Sequence, residues 1–431
     1  MTQLGTLPVR RREGGRRRLL FGAGTILGLC GLAPAAHGQT PPPVRQLGQS
    51  DAESAGDIVS SIAALRALST GEVFVNDITR HRVVMLDPLL RVLRIVADTA
   101  AATKRIYGSA ATGLFPFRGD STLFLDGAAL AVFVLDSHGN TARVMGPPRP
   151  SDFGQLVGGA VGNTGVDTRG RLVYRMAGAS RSERTRLGML GSASPPESAA
   201  VVRFDFATRR LDTAAIVRIY SPRIVAVTTR TDSSASIQLV PVLNPAPTVD
   251  DWAILADGTI AIVRGQDYHV DFVDVDNRKT SGGRIPFAWR RLADSDKVAL
   301  LDSSKSLRAR LITQGISMGV GVAPAPSIDP STTQGSPVTT AATGVDPNKT
   351  TSDVRYVGSE ELPDYQPVFA AGAVRADADS NLWVRTIPPE PLSGGAIYDV
   401  IDRRGELIDR VQVPRGSTIA GFSPGGVILL G

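Results

Sequence analysis

From Ile58 onward the apolar residues of this chain fall in short runs, either alternating with polar positions or unbroken between turn formers. The runs come in pairs. Gly71 to Asp77 is followed by Arg82 to Asp87, Ser121 to Asp126 by Ala131 to Asp136, and Gly170 to Arg175 by Val201 to Phe206. Gly258 to Val263 precedes Val270 to Asp276, Asn381 to Arg385 precedes Ala396 to Asp402, and Gly425 to Leu430 stands as a last half-pair. Side chains of an extended strand point alternately to its two faces, so such runs bounded by Gly or Asp read as strands joined by tight turns. The first members begin at 71, 121, 170, 258, 381 and 425, and three of the five spacings lie between 44 and 50 residues, the period of a four-stranded blade. One such unit cannot bury both of its faces alone, and closing the units radially leaves few free edges. The pattern predicts an all-β six-bladed β-propeller over residues 58–431. Its last blade is short of strands, which the segment before Ile58 is expected to supply.

Two spacings are long, 88 and 123 residues, and contain stretches without the strand pattern. Residues 179–198 are rich in Ser and Arg. Residues 290–354 begin with a run free of Gly and Pro up to Thr313, in which Leu292, Leu300, Leu301, Leu307 and Leu311 lean to one side at helical spacing. With Asp294 or Ser295 as a cap, one amphipathic helix is expected at about 294–313, packed on a blade edge. Residues 315–353, rich in Pro, Thr, Ser and Ala without periodicity, read as a long disordered loop. Residues 39–57 form a polar, Pro-rich arm.

The motifs GEVFVND with RVVMLD, and Asp377-Ala-Asp379-Ser-Asn381-Leu-Trp-Val, resemble the blade repeats of bacterial six-bladed propellers of the TolB-like and NHL-like superfamily. The resemblance covers Ile58 to Leu430 with the insertions excluded. It implies architecture, and it implies function poorly, because such folds serve as scaffolds, binding modules and hydrolases alike. It also implies a strand-swapped closure and long inter-blade loops that meet partners.

The N-terminus changes the picture of compartment. An Arg-rich head, an apolar stretch from Leu19 to Ala33 and Ala36-His37-Gly38 follow the order of a secretory signal peptide, residues 1–38, with Gln39 as the new end. A periplasmic or secreted protein of a bacterium is expected. Arg16-Arg17-Arg18-Leu19-Leu20 is similar to a twin-arginine export signal. Leu27-Gly28-Leu29-Cys30 is similar to a lipoprotein box, which would make the protein membrane-anchored through Cys30, but Leu29 is bulky where that box takes a small residue. Cys30 is the only cysteine, so the processed chain has no disulfide and no thiolate.

Charge excludes one class of partner. The formal +6 of the whole chain falls to +1 once the six Arg and one Glu of residues 1–38 are removed, so no general field collects phosphates and nucleic acid is not an expected partner. The 42 Arg outnumber 5 Lys but are scattered among Asp and Glu, as solvated ion pairs are.

Catalytic patterns fail one by one. Gly421-Phe-Ser423-Pro424-Gly425 has the letters of a nucleophile elbow, but Pro424 lacks the N–H that such an elbow gives to its oxyanion hole. Asp377-x-Asp379-x-Asn381 begins like a calcium loop, yet its sixth and twelfth positions are Leu382 and Pro388 instead of Gly and Glu, so a turn is expected. His81 and His138 lie beside turns. His269 closes Arg264-Gly265-Gln266-Asp267-Tyr268-His269, which places Arg264, Asp267, Tyr268 and His269 on one inter-strand hairpin at a rim, the best candidate binding group. No catalytic residue, metal ligand or cofactor is assigned. The expectation is a monomeric, non-enzymatic binding or interaction module of the cell envelope, taking an envelope protein, a glycan or a small polar ligand. The alternative is a lactonase-type hydrolase with a calcium or zinc ion in the central channel, whose ligands from distant blades leave no local motif.

Overall fold

In the computed structural model the residues described are 5–8, 41–56, 58–99, 107–108, 112–156, 163–176, 196–231, 234–313, 354–390 and 393–431. Three short strands come first: β1 (Gly5–Pro8), β2 (Val44–Gln46) and β3 (Ala52–Glu53). A first sheet follows with strands β4 (Ile62–Ala67), β5 (Val73–Asp77), β6 (Arg82–Leu86) and β7 (Val92–Ala97) in that order. The second is β8 (Thr112–Pro116), β9 (Thr122–Asp126), β10 (Ala131–Leu135) and β11 (Thr141–Met145). After the one-turn helix α1 (Phe153–Leu156), the third is β12 (Gly165–Val166), β13 (Leu172–Arg175), β14 (Ser198–Phe204) and β15 (Leu211–Arg218).

A long hairpin, β16 (Arg223–Thr231) and β17 (Ser234–Leu243), precedes the fourth sheet of β18 (Asp251–Ile254), β19 (Ile260–Arg264), β20 (His269–Val273) and β21 (Lys279–Ser281). Helix α2 (Asp294–Thr313) and strand β22 (Arg355–Tyr356) intervene, β22 pairing in parallel with β17. The fifth sheet is β23 (Val374–Ala376), β24 (Leu382–Thr386), β25 (Ile397–Ile401) and β26 (Leu407–Gln412), with β2 added in parallel on β26. The last joins β27 (Ile419–Ser423) and β28 (Val427–Leu430) to β1 and then β3.

The apolar alternation predicts how these sheets meet. Val73, Val75 and Leu429 share one cluster, while Phe74, between the two valines, packs with Phe124 of the next sheet. Leu123 and Leu125 face Leu172 and Tyr174. Val173 and Val201 face Trp252 and Ile262, Ala261 and Val263 face Val374 and Val384, and Trp383 and Tyr398 face Ile419 and Ile428. Among the described residues six apolar clusters thus join six sheets in a closed cycle, the first strand of each sheet running innermost. The fold is a β-propeller. Full burial stabilises by roughly 1.5–3 kcal/mol per large side chain, so the middle strands, apolar on both faces, hold most of the core.

The last sheet takes its outer strands from before Ile58, as the sequence predicted, and β1 lies inside the segment read as a leader. The inserted helix spans Asp294–Thr313, as expected. Its buried side is Lys297, Leu301 and Ser304, and Lys297 Nζ donates to Asp364 at 2.9 Å while Tyr356 Oη donates to the Ser304 carbonyl at 3.2 Å. The helix therefore rests on the segment from Tyr356 to Asp364. The loop expected at 315–353 and most of the insertion at 179–198 lie outside the described residues.

Candidate functional site

Antiparallel order fixes two unlike ends of the ring. At one end lie the turns between first and second and between third and fourth strands. There Asp87, Asp136, Asp167, Asp274, Asp377 and Asp402 each accept, through Oδ1, the N–H groups two and four residues on, at 2.7–3.0 Å. Asp377 also takes the Asn381 amide and the Trp383 indole N–H on Oδ2, so it is a turn former, as the sequence implied. Ser423 is buried at the close of β27, with Gly425 and Gly426 turning at positive φ into β28.

The other end, called here the hairpin end, carries the turns between second and third strands and the starts of the first strands. Asp77 closes β5 and accepts the Ser60 and Ser61 N–H groups at 3.2 and 3.3 Å, and Asp126 closes β9 and accepts from Gly108 at 3.2 Å. These carboxylates tie a hairpin to the chain entering the same sheet. At the equivalent positions β13 and β19 end in Arg175 and Arg264, which inverts the charge.

Arg264 belongs to one ion network. Its Nη1 donates to Asp250 at 2.7 Å and its Nε to Asp271 at 2.7 Å, and Asp250 also accepts the Arg218 and Gly265 N–H groups. His269 Nδ1 faces Asp267 at 2.8 Å and its Nε2 faces Asp271 at 3.3 Å. Burial pushes the Asp271 carboxyl up, but the Ser281 hydroxyl and the Arg264 guanidinium outweigh it and hold it below the ordinary range. Three of the four residues singled out from the sequence, Arg264, Asp267 and His269, are therefore brought together. Tyr268 is not. It is fully buried with φ +49°, and its hydroxyl donates to Asp399 Oδ2 at 2.8 Å across the gap to the fifth sheet. Arg410 Nε donates to the other oxygen of Asp399 at 3.1 Å. The group is thus a pair of structural ties with one partly exposed histidine.

The chain neighbour of Asp250 faces the other way. Asp251 begins β18 and is 3% exposed; its Oδ2 accepts the Val374 N–H at 2.9 Å and its Oδ1 its own neighbour Trp252 N–H at 2.9 Å. Burial pushes its carboxyl up to about 6, against the pull of those two N–H groups and of Arg375 and Arg175. Arg375 Nη1 donates to Asn163 Oδ1 at 3.2 Å and to the Gly372 and Val374 carbonyls. The Asn163 amide donates to the Val374 carbonyl and its backbone N–H to the Trp252 carbonyl at 3.3 Å. Arg175 Nη2 donates to Gln155 of α1 at 2.8 Å, and burial lowers the Arg175 guanidinium while Asp251 opposes the shift. Asn163, Arg375 and Asp251 thereby tie the chain entering β12 to the innermost strands β18 and β23, while Arg175 ties the end of β13 to α1.

Neither Arg175 nor Arg375 has a carboxylate within ion-pair distance among the described residues. Two buried donors nearby, Arg175 Nε and Trp252 Nε1, have no hydrogen-bond partner among the described residues. Sequence reasoning passed over this cluster. Its signals were an Arg closing β13 where neighbouring repeats have Asp, and Asp250-Asp251-Trp252 at a strand start.

Among the described residues no three His, Asp or Glu gather as a metal site. Calcium takes about 6–8 oxygen ligands, and guanidinium groups at the innermost strands do not fit it. Among the described residues no helix is long and apolar enough to cross a membrane.

No family model matches the sequence, and no curated protein is similar to it. Among solved structures, a gluconolactonase from Xanthomonas campestris is similar at 10% identity and TM-score 0.35, covering 86% of this chain and 87% of its own. A calcium-binding protein, regucalcin, from Agrobacterium tumefaciens is similar at 11% identity and TM-score 0.31, covering 83% and 78%. A DUF4221 family member from Bacteroides vulgatus is similar at 8% identity and TM-score 0.42, covering 88% and 93%.

Proposed function

We propose that this protein is a non-enzymatic binding module of the bacterial cell envelope, exported to the periplasm or beyond, which takes a small polar ligand or the tip of a partner at the hairpin end of its ring. The observation that carries the reading is the cluster of Arg175, Arg375, Asn163 and Asp251 at the innermost strands. A buried carboxyl beside half-buried guanidinium groups without ion-pair partners costs stability, and such cost concentrated at one end of a propeller supports a site kept for a ligand.

Export removes residues 1–38 in this reading, and with them β1. The arm 39–57, whose Ala52 and Glu53 already lie in the last sheet, then completes that sheet beside β28.

Thermal unfolding tests the reading against the metal-dependent hydrolase. A cation bound only by the folded chain at a hundred times its dissociation constant stabilises by about 2.7 kcal/mol. Chelator, calcium and zinc are expected to leave the melt unchanged and lactones uncleaved, while a polar envelope ligand raises the midpoint and Arg375→Gln abolishes the rise. A metal-dependent rise with lactone cleavage overturns the binding reading.

A further inference from the structure

We propose that the hairpin-end gap between the third and fourth sheets is a binding site for a compact carboxylate, held by Arg175 and Trp252. The proposal rests on the binding-module reading and names its ligand class.

The geometry follows from strand alternation. Val173 and Trp252 lie in one apolar cluster with Ile262, so both face the gap between these two sheets. Arg175, two residues after Val173 on the last position of β13, points to the same side. Arg175 Nε and Trp252 Nε1 are thus two N–H donors on one side of one gap, both buried and both without an acceptor. Trp252 is 1% exposed, so bulk solvent does not reach its indole. An orphaned buried donor is destabilising, and two together define what is missing: an acceptor, not another donor.

Charge points the same way. Among the described residues Arg175 has one side-chain acceptor, Gln155, Arg375 is bonded to carbonyl and amide oxygens, and the carboxyl near both guanidiniums is Asp251, already occupied by the Val374 and Trp252 N–H groups. A single negative charge on the ligand balances the site. A planar carboxylate matches a guanidinium edge, and its flat faces suit an apolar neighbourhood such as Val173 and Ile262. A tetrahedral, multiply charged phosphate would need more donors than the gap offers to offset its desolvation.

The test uses the full chain. Acetate is titrated at constant ionic strength against chloride and inorganic phosphate, followed by calorimetry, by thermal midpoint and by tryptophan emission. Saturable acetate binding is expected, with a change in emission that Trp252→Phe removes and no matching effect of chloride or phosphate. Arg175→Gln should weaken acetate at least tenfold. Arg175→Lys, which keeps the charge and loses the planar fork, should weaken it less, with the fold checked by circular dichroism. Acetate acting only as chloride does, or binding unchanged by Arg175→Gln, overturns the carboxylate site. If neutral sugars or envelope peptides bind and carboxylates do not, this inference fails and the binding-module reading stands. If no ligand of either kind binds, both fail.

Discussion

Replacing Asp251 by Asn separates the energetics of the innermost cluster from the rest of the molecule. In the folded chain this carboxyl titrates near pH 6 because burial penalises its charge more than its N–H partners and the two arginines favour it. An unfolded Asp titrates near 3.9. Between those values the native state holds a proton that the unfolded chain has released, so stability falls as pH rises through the window and is level above it. A gap of about two units corresponds to about 3 kcal/mol. The variant cannot titrate there, and it offers only one acceptor to two N–H donors, which adds a constant loss of about 1–2 kcal/mol. Urea unfolding of both proteins from pH 4 to pH 7.5 isolates the group, since all other titrations cancel in the difference. The wild type should lose its advantage over Asp251→Asn by about 2–3 kcal/mol across that range. Parallel stability curves would refute the assignment of a buried, charge-penalised carboxyl.

Tyr268→Phe removes a buried hydroxyl donor from Asp399, whose carboxyl burial already pushes up, and should destabilise by about 1.5–3 kcal/mol in chemical unfolding. Gly265→Ala places a Cβ about 2.0 Å from the Val249 carbonyl oxygen, so the hairpin must shift; a loss of about 1–3 kcal/mol is expected, and a neutral result would contradict the packing there. Residues 39–431 expressed without the leader should show the same amide exchange at Val427–Leu430 as the full chain, because the arm replaces β1 there; faster exchange at alternate positions would contradict that replacement.

The middle strands were legible because both of their faces are buried. In β5, β9 and β25 every residue is buried, which leaves three or four apolar residues in each five-residue strand. Outer strands were not, since β11 and β21 are exposed almost throughout and leave no apolar run to read. The hairpin of β16 and β17 was absorbed into a long spacing. Of the candidate site, the sequence placed Arg264, Asp267 and His269 on one hairpin correctly, because they are close along the chain. Tyr268 was misjudged because a left-handed turn residue rotates its side chain into the next gap. The cluster of Asn163, Arg175, Asp251 and Arg375 spans 212 positions and exists only once three sheets are side by side.

Five of the six apolar contacts between sheets join neighbours in sequence, whereas the contact of Leu429 with Val73 and Val75 joins the two extremes of the repeat array. Up to that event the chain is an open spiral that can grow sheet by sheet, each step closing a short loop. The final step closes a loop of about 350 residues, between Val75 and Leu429. Loop entropy grows only with the logarithm of length, so the ring is thermodynamically cheap to shut but kinetically last. Before closure the first and last sheets each have a face without a neighbour, and those faces are the ones most open to mispairing. The seam between the last and first sheets is the natural place for unfolding to begin.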